Sequence, residues 1–156
     1  MAEQEQDLFD QVIKETAADR PAFRQAPAGD YLVTVQSVKF VKANNGRQGI
    51  ELAYTMIEPM HNEDMVGVTL AKCRLSDTMW ISEKSIGIVQ ERLARISKDV
   101  VGNTLRDVAD ILPGNDVVVN ISHETANRDG TALNTPRLKV ERYYSVEWYM
   151  NNKKAA

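Results

Sequence analysis

The stretch GDYLVTVQSVKFVKANNGRQGIELAYTMI, residues 29–57, predicts two antiparallel strands joined by a tight turn. Apolar residues alternate up to Val35 and change phase before Val38, which indicates a bulge between these two positions. Asn45-Gly46 is a strong hairpin signal, because both residues accept a positive φ. The run from Gly49 to Ile57, in which the apolar residues alternate from 50 to 56, then forms the returning strand.

The rest of the chain carries three more strand patterns and two helix patterns. The first helix has apolar residues at i, i+3, i+7 and i+10, and the second begins with the capping pair Thr104 and Asp107. The predicted elements are a strand at Val66–Leu75, a link at Ser76–Ile81, a helix capped by Ser82, a short helix that ends before Pro113, a strand at Asn115–Glu124, a turn at Asn127–Gly130 and a strand that begins at Leu138.

The predicted order is therefore three strands, a helix and two strands. At 156 residues the chain has the size of one domain. This order is expected of a mainly β, five-stranded OB-fold-like Greek-key barrel, with one helix between strands three and four and a short second helix. An open α+β sheet with one helix packed on it is the alternative.

Charge divides the chain into a predicted arm, a domain and a tail. Residues 1–20 hold six acidic and two basic side chains, a net charge of −4, whereas the other 136 residues hold 17 basic and 16 acidic ones. We predict an acidic N-terminal arm over residues 1–25, partly helical or disordered, because an amphipathic pattern at residues 6–18 precedes Pro21. The OB-like domain then spans residues 26–150, and residues 151–156 form a short basic tail.

Several function classes lack their usual residues. No run of about 18 apolar residues and no secretory signal is present, so we expect a cytoplasmic protein. Cys73 is the single cysteine and is expected to be a buried, unreactive thiol, and together with two histidines it cannot build the usual zinc site. Nucleotide-binding and metalloprotease motifs are missing, so we expect neither an enzyme nor a cofactor.

Binding of single strands requires cations for the phosphates and exposed aromatic rings for the bases. The candidate phosphate contacts are Lys39, Lys42, Arg47, Lys72, Arg74, Arg137, Lys139 and Arg142. The candidate stacking rings are Phe40, Trp80 and Tyr143, for each of which packing in the core is the competing interpretation.

The segments APAGDYLVTV (26–35), NGRQGIEL (45–52) and LRDVADILPGNDVVV (105–119) resemble bacteriophage single-stranded DNA-binding proteins of OB-fold type. The resemblance covers residues 26–144. It implies a protein that coats single-stranded DNA with little sequence preference during replication or recombination, in a groove framed by strands two and three and the flanking loops. It also implies phage replication or recombination proteins as partners, and a homo-oligomer is possible.

One feature departs from that family. Many of its members end in an acidic tail that recruits partners, whereas this chain ends in YMNNKKAA and carries its acidic segment at the N-terminus. One hypothesis is that residues 1–20 compete with DNA for the basic face or contact partners, and the alternative is a disordered or loosely docked leader. The alternative function is a phage structural or assembly module in which the cluster from Tyr143 to Tyr149 forms a protein interface. A metal-dependent nuclease that uses Glu63 and Asp64 is a more distant candidate.

Overall fold

The computed structural model describes residues 24–126 and 130–152, which form a mainly β structure with one antiparallel sheet and three helices. The strands lie in the order β3-β2-β1-β4-β5. Their bounds are Gly29–Lys42 for β1, Gln48–Pro59 for β2, Leu75–Ile81 for β3, Asp116–Ala126 for β4 and Ala132–Tyr144 for β5. The helices are α1 (Ile86–Ile96), α2 (Val108–Ile111) and α3 (Val146–Asn152). Three 3₁₀ turns lie at Leu70–Lys72, Lys98–Val100 and Leu105–Asp107.

Several predicted features lie outside the described residues. These are residues 1–23 of the acidic arm, residues 153–156 of the basic tail, and most of the turn predicted between Asn127 and Gly130.

The central strand β1 is long enough to pair on both sides. Its first six residues pair with β4, and it pairs with β2 over nearly its whole length. The predicted bulge is confirmed, because the register between β1 and β2 shifts between Val35 and Ser37. The bulge lets one strand belong to both halves of a curved sheet.

The predicted hairpin between β1 and β2 is confirmed, but its turn differs from the expectation. Gly46 has φ 85° and donates its N–H to the oxygen of Ala43, while Ala43 donates to the oxygen of Arg47. Asn45 keeps a negative φ, and its side chain accepts from the N–H of Arg47 at 2.9 Å. The loop therefore has three residues, 44–46, between Ala43 and Arg47, and only Gly46 adopts the left-handed conformation. The expected two-residue turn would have needed it at Asn45 as well.

The third strand was predicted in the wrong place. Residues 66–74 form a loop in which Val66 is 78% exposed and Gly67 has φ 78°, and the 3₁₀ turn at Leu70–Lys72 follows. The strand begins only at Leu75 and occupies the segment to Ile81, which was predicted as a link. The alternating apolar residues of this loop therefore do not mark a strand: Val66 is exposed, and Val68 and Leu70 pack against the core from the loop. Lys72 and Arg74 precede β3 as a result.

The helices follow the sequence pattern closely. Val89, Leu93 and Ile96 of α1 are buried, as their spacing predicts. The helix begins four residues after the predicted cap at Ser82. The capping pair is confirmed, because Asp107 Oδ2 accepts from the N–H of Thr104 at 3.0 Å.

Helix α3 was not predicted. It packs against β4, and the hydroxyl of its Tyr149 donates to Asp30 Oδ2 of β1 at 2.9 Å. Burial is the largest cause that raises the pKa of Tyr149 to about 12, followed by its hydrogen bond to Asp30. Asn120 of β4 donates to the other oxygen of Asp30 at 2.8 Å.

The two edge strands of the sheet, β3 and β5, approach each other and are joined by side chains. The hydroxyl of Tyr143 in β5 donates to Asp77 Oδ2 in β3 at 2.6 Å, and the hydroxyls of Tyr143 and Tyr54 are hydrogen-bonded at 2.7 Å. Within the described residues no backbone pairing joins these edges, so the sheet is open. Burial raises the pKa of all three groups, because it disfavours their charged forms.

Helix α1 covers this gap with two arginines. The guanidinium of Arg92 lies over the Tyr143 ring, 5.6 Å from its centroid, and Arg95 donates to the backbone oxygen of Tyr143 at 2.9 Å. The edges of the sheet therefore meet in a hydrogen-bonded cluster that the helix shields from solvent.

Candidate nucleic-acid interface

The face of β1–β2–β3 that points away from the core, called the outer face below, carries small and polar side chains. Across an antiparallel register, opposite residues share a face. Gly49 lies opposite Val41 and Trp80, and Glu51 lies opposite Lys39 and Thr78. The alternate residues of β2 are buried. The outer face therefore lets an extended ligand approach the sheet closely.

Trp80 lies against the backbone of β2 at one end of the outer face. A Cβ atom at Gly49 would lie 2.8 Å from Cε3 of Trp80, so the glycine is what allows the ring to lie so close to the sheet. The guanidinium of Arg47 lies over the indole, 5.6 Å from the ring centroid. The positive charge of Arg47 therefore lies next to the flat, partly exposed indole of Trp80.

The other end of the outer face is a groove of about 590 Å³ with both polar and apolar walls. Arg74 lines it at the start of β3, and the exposed Lys72 lies two residues earlier. Lys39 is exposed and lies across β1–β2 from Glu51, which also lines the groove. From Gly49 to Thr55 the outer face extends over about 20 Å at about 3.3 Å per residue. It carries cations at both ends.

Phe40 and Lys42 lie on the opposite side of the sheet from Trp80. Phe40 is opposite Ile50, which is buried, yet it is 45% exposed because it lies at the end of the sheet. The guanidinium of Arg106 lies over its ring, 5.7 Å from the centroid. Lys42 and Arg106 line the same hollow as Phe40. The structure therefore separates two of the predicted stacking rings.

The predicted cations of β5 lie on the other half of the sheet, opposite β4. Arg137 Nη1 lies 3.6 Å from Glu124 Oε1, and Lys139 Nζ lies 3.9 Å from Glu141 Oε1. Arg142 is exposed opposite Asn120. The structure does not bring these three side chains to the outer face.

The prediction that Tyr143 is an exposed stacking ring is wrong. Its side chain is 1% exposed and its hydroxyl is bonded to Asp77 and Tyr54. The strand alternation placed it on the same face as Lys139, but a register shift between β4 and β5 adds one residue after Val140. The shift turns Tyr143 into the core.

The sequence did not predict Arg106, which lies over Phe40, or the role of Gly49, on which Trp80 packs. Arg106 lies in the 3₁₀ turn at Leu105–Asp107, and no local pattern indicates that this turn meets Phe40. Gly49 was counted only as the start of a strand. Its pairing with Trp80 depends on the position of β3, which was itself predicted wrongly.

Cys73 is buried, as predicted, and its thiol donates to the oxygen of Thr69 at 3.5 Å. Glu63 and Asp64 lie in the exposed loop after β2, where Asp64 accepts from the N–H of Val66 at 2.9 Å. Among residues 24–126 and 130–152, no three or more His, Cys, Asp or Glu side chains are grouped as a metal site would require.

The structure therefore defines a mainly β protein with a polar outer face that is basic at both ends. The chain belongs to the family described as "Protein of unknown function (DUF669)", whose model matches residues 13–156. No curated protein matches the chain. None of the helices in the part that the structure describes has the length and apolarity needed to cross a membrane.

Proposed function

We propose that this protein binds single-stranded DNA on the outer face, without strong sequence preference, and coats it during phage replication or recombination. The observation that carries the proposal is the arrangement of Arg47, Gly49 and Trp80, which places an indole and a guanidinium next to each other on a flat polar sheet. Neither a catalytic residue nor a cofactor is part of the proposal.

The fold supports the proposal through the order of its strands. A sheet in the order β3-β2-β1-β4-β5 becomes an OB barrel when β3 meets β5. We propose that the bond of Tyr143 with Asp77 in β3 closes the barrel in this way, supported by the bond of Tyr143 with Tyr54 in β2. An OB barrel binds oligonucleotides on the face formed by its strands two and three, which in this protein is the face that carries Trp80.

The contacts divide into stacking and charge neutralisation. A base stacks on the Trp80 indole as the Arg47 guanidinium moves from the ring to a neighbouring phosphate. One such stack is worth about 1–3 kcal/mol. Lys39 and Arg74 contact further phosphates along β1 and β3, and Lys72 extends this path into the loop. Glu51 faces the same groove and limits how closely a phosphate approaches the middle of the face.

The remaining predicted contacts are flanking ones. Phe40 and Lys42 lie around the end of the sheet from Trp80, so a strand that passes this end reaches them next. The cations of β5, at Arg137, Lys139 and Arg142, lie near acidic or polar partners and contribute less per residue to phosphate binding.

A second candidate function is a protein-interaction module. Tyr144 and Trp148 are stacked, with ring centroids 5.4 Å apart and planes at 11°, and Trp148 is 44% exposed. They line a hollow of about 300 Å³ with Arg95. Exposed aromatic rings of this kind are enriched at protein interfaces. Such a module would not need the cations of the outer face.

The experiment that tests the proposal is a fluorescence titration with oligo-dT. The Trp148→Phe variant leaves Trp80 as the single tryptophan, so that its emission reports on the outer face. We expect quenching that saturates with the single strand and is weaker with a duplex of the same length. Failure of the single strand to quench Trp80 or to bind at low salt would contradict the proposal and favour the interaction module.

A matched pair of variants separates local from overall charge. Lys39→Ala and Lys98→Ala each remove one exposed cation, but Lys98 lies beyond α1 and is 3.9 Å from Glu147. We expect Lys39→Ala to weaken binding about three- to tenfold, a loss of about 1 kcal/mol. Lys98→Ala should change it less than twofold. Equal effects would argue that binding is not confined to the outer face.

A further inference from the structure

The end of the sheet opposite the loop of residues 60–74 carries an apolar groove. It consists of two hollows, of about 450 and 530 Å³, that share Ile86 and Leu105 in their walls. Phe40 and Ile81 line the first hollow, and Val101 and Val108 line the second. Val101 is 72% exposed. Together the two hollows, called the end groove below, form a continuous apolar surface between α1 and the turn before α2.

The described residues that line the end groove carry charge of one sign. Lys42 and Arg106 are charged, and none of these described lining residues is acidic. Arg106 stands over the ring of Phe40 at the mouth of the first hollow. The end groove therefore fits a segment that combines apolar side chains with acidic ones.

We propose that the end groove binds residues 6–18 of this chain. That segment contains Leu8, Phe9, Val12 and Ile13 at a spacing that places apolar side chains on one face of a helix, and three acidic side chains accompany a single basic one. Its apolar side chains match the walls of the groove. Its carboxylates match Lys42 and Arg106.

The length of the chain permits this contact within one molecule. Arg24 donates to the backbone oxygen of Val66, in the loop that leads into β3. From Pro59, where β2 enters that loop, to Gln48 at the end groove, β2 runs eleven residues, or at most about 36 Å at about 3.3 Å per residue. The eleven residue steps from Ile13 to Arg24 span up to about 36–40 Å when residues 14–23 are extended. The apolar residues at 8–13 therefore reach the groove of their own chain, with the residues that follow them as an extended connection.

The contact overlaps the flanking DNA contacts at Phe40 and Lys42 but leaves the outer face itself free. The groove lies on the core side of the sheet end, where Phe40 points, whereas Trp80 lies on the outer face. Docking of residues 6–18 would cover Phe40 and Arg106 and leave Trp80 accessible. The inference therefore holds whether or not the outer face binds DNA.

The test measures how fast a thiol in the groove reacts with a thiol reagent. Val101→Cys is made in the full chain, in which Cys73 is buried, and is compared with the same variant that also carries Phe9→Asp and Ile13→Asp; the full chain without Val101→Cys gives the background rate of Cys73. If the groove is occupied about nine-tenths of the time, the two aspartates increase the reaction rate about tenfold. Equal rates with and without them would overturn the proposal.

Val66→Cys is the matched control. Val66 is also highly exposed, and it lies beside Arg24, closer to the root of the segment. Its rate should be unaffected by the two aspartates, and an equal acceleration at Val66 would show general shielding rather than docking in the groove.

A disulfide between residue 13 and the groove identifies which copy supplies the segment. In the full chain, Ile13→Cys with Val101→Cys should form a disulfide within one molecule faster than Ile13→Cys with Val66→Cys. Linked dimers that predominate even in dilute solution would overturn the intramolecular contact and assign the groove to a second copy. A slower reaction at Val101 than at Val66 would overturn docking altogether.

Discussion

Substitution of Tyr143 by phenylalanine should remove the bonds that join the edges of the sheet while keeping the ring in the core. The hydroxyl donates to Asp77 at 2.6 Å and pairs with the hydroxyl of Tyr54 at 2.7 Å. A hydrogen bond to a charged group is worth about 1.5–3 kcal/mol, and an unsatisfied buried hydroxyl costs about 1–3 kcal/mol. We expect Tyr143→Phe to lower the free energy of unfolding by about 3 kcal/mol. For a chain of this size, that loss corresponds to a fall in Tm of about 10 °C.

Chemical denaturation followed by circular dichroism measures this loss, and two other buried tyrosines provide controls. Tyr54→Phe keeps the bond between Tyr143 and Asp77 and should cost about 1 kcal/mol. Tyr31→Phe removes a hydroxyl that donates to the oxygen of Pro27 at 2.6 Å, far from the edges, and should cost a similar amount. If Tyr143→Phe costs no more than Tyr31→Phe, the side chains do not hold the two edges together.

Three further predictions concern single sites. Burial raises the pKa of Asp77, so its contribution to stability is fully present below the unfolded pKa of about 3.9 and is lost as pH rises through the higher folded value. The urea midpoint of the unaltered protein should therefore fall as pH rises above about 4, and Asp77→Asn should reduce this dependence on pH. The same dependence in both proteins would refute the prediction. Gly49→Ala places a Cβ 2.8 Å from Trp80 and should shift the fluorescence of that tryptophan, whereas Gly87→Ala, with no atom within 4 Å of its added carbon, should not. Identical spectra for the two variants would argue against the packing of Trp80 on Gly49. Cys73 should react with a thiol reagent only at the rate of unfolding, and fast reaction of the folded protein would show that the thiol is accessible.

The sequence predicts those parts of the fold that depend on local patterns. The bulge in β1 appears as a phase change between Val35 and Val38, and the buried face of α1 appears as a helical spacing. The capping pair at Thr104 and Asp107 locates the turn before α2. In each case the residues that specify the feature lie within a few positions of one another.

The features that were missed depend on contacts between distant segments. The alternation before Leu75 resembles a strand, but the segment folds as a loop whose side chains pack on the core. Tyr143 turns inward because β5 accommodates an extra residue opposite β4, and no pattern within β5 reveals that shift. Helix α3 was missed because its seven residues are too few for a periodic signal.

The candidate site was only partly predictable for the same reason. The sequence identifies the cations and rings, but their grouping depends on which strand faces which. The structure brings Lys39, Arg47, Arg74 and Trp80 to the outer face and leaves the cations of β5 on the other half of the sheet. The position of Trp80 depends on β3, so it could not be assigned while that strand was misplaced.

The dependence of oligo-dT binding on salt tests the central claim most directly. On single strands, each phosphate contact contributes about −0.7 to the slope of log K against log salt concentration. The variant with alanine at Lys39, Arg47 and Arg74 should therefore have a slope less steep than that of the unaltered protein by about 2, with weaker binding at every salt concentration. An unchanged slope, or an unaltered protein that does not bind the single strand at low salt, would contradict binding of DNA on the outer face.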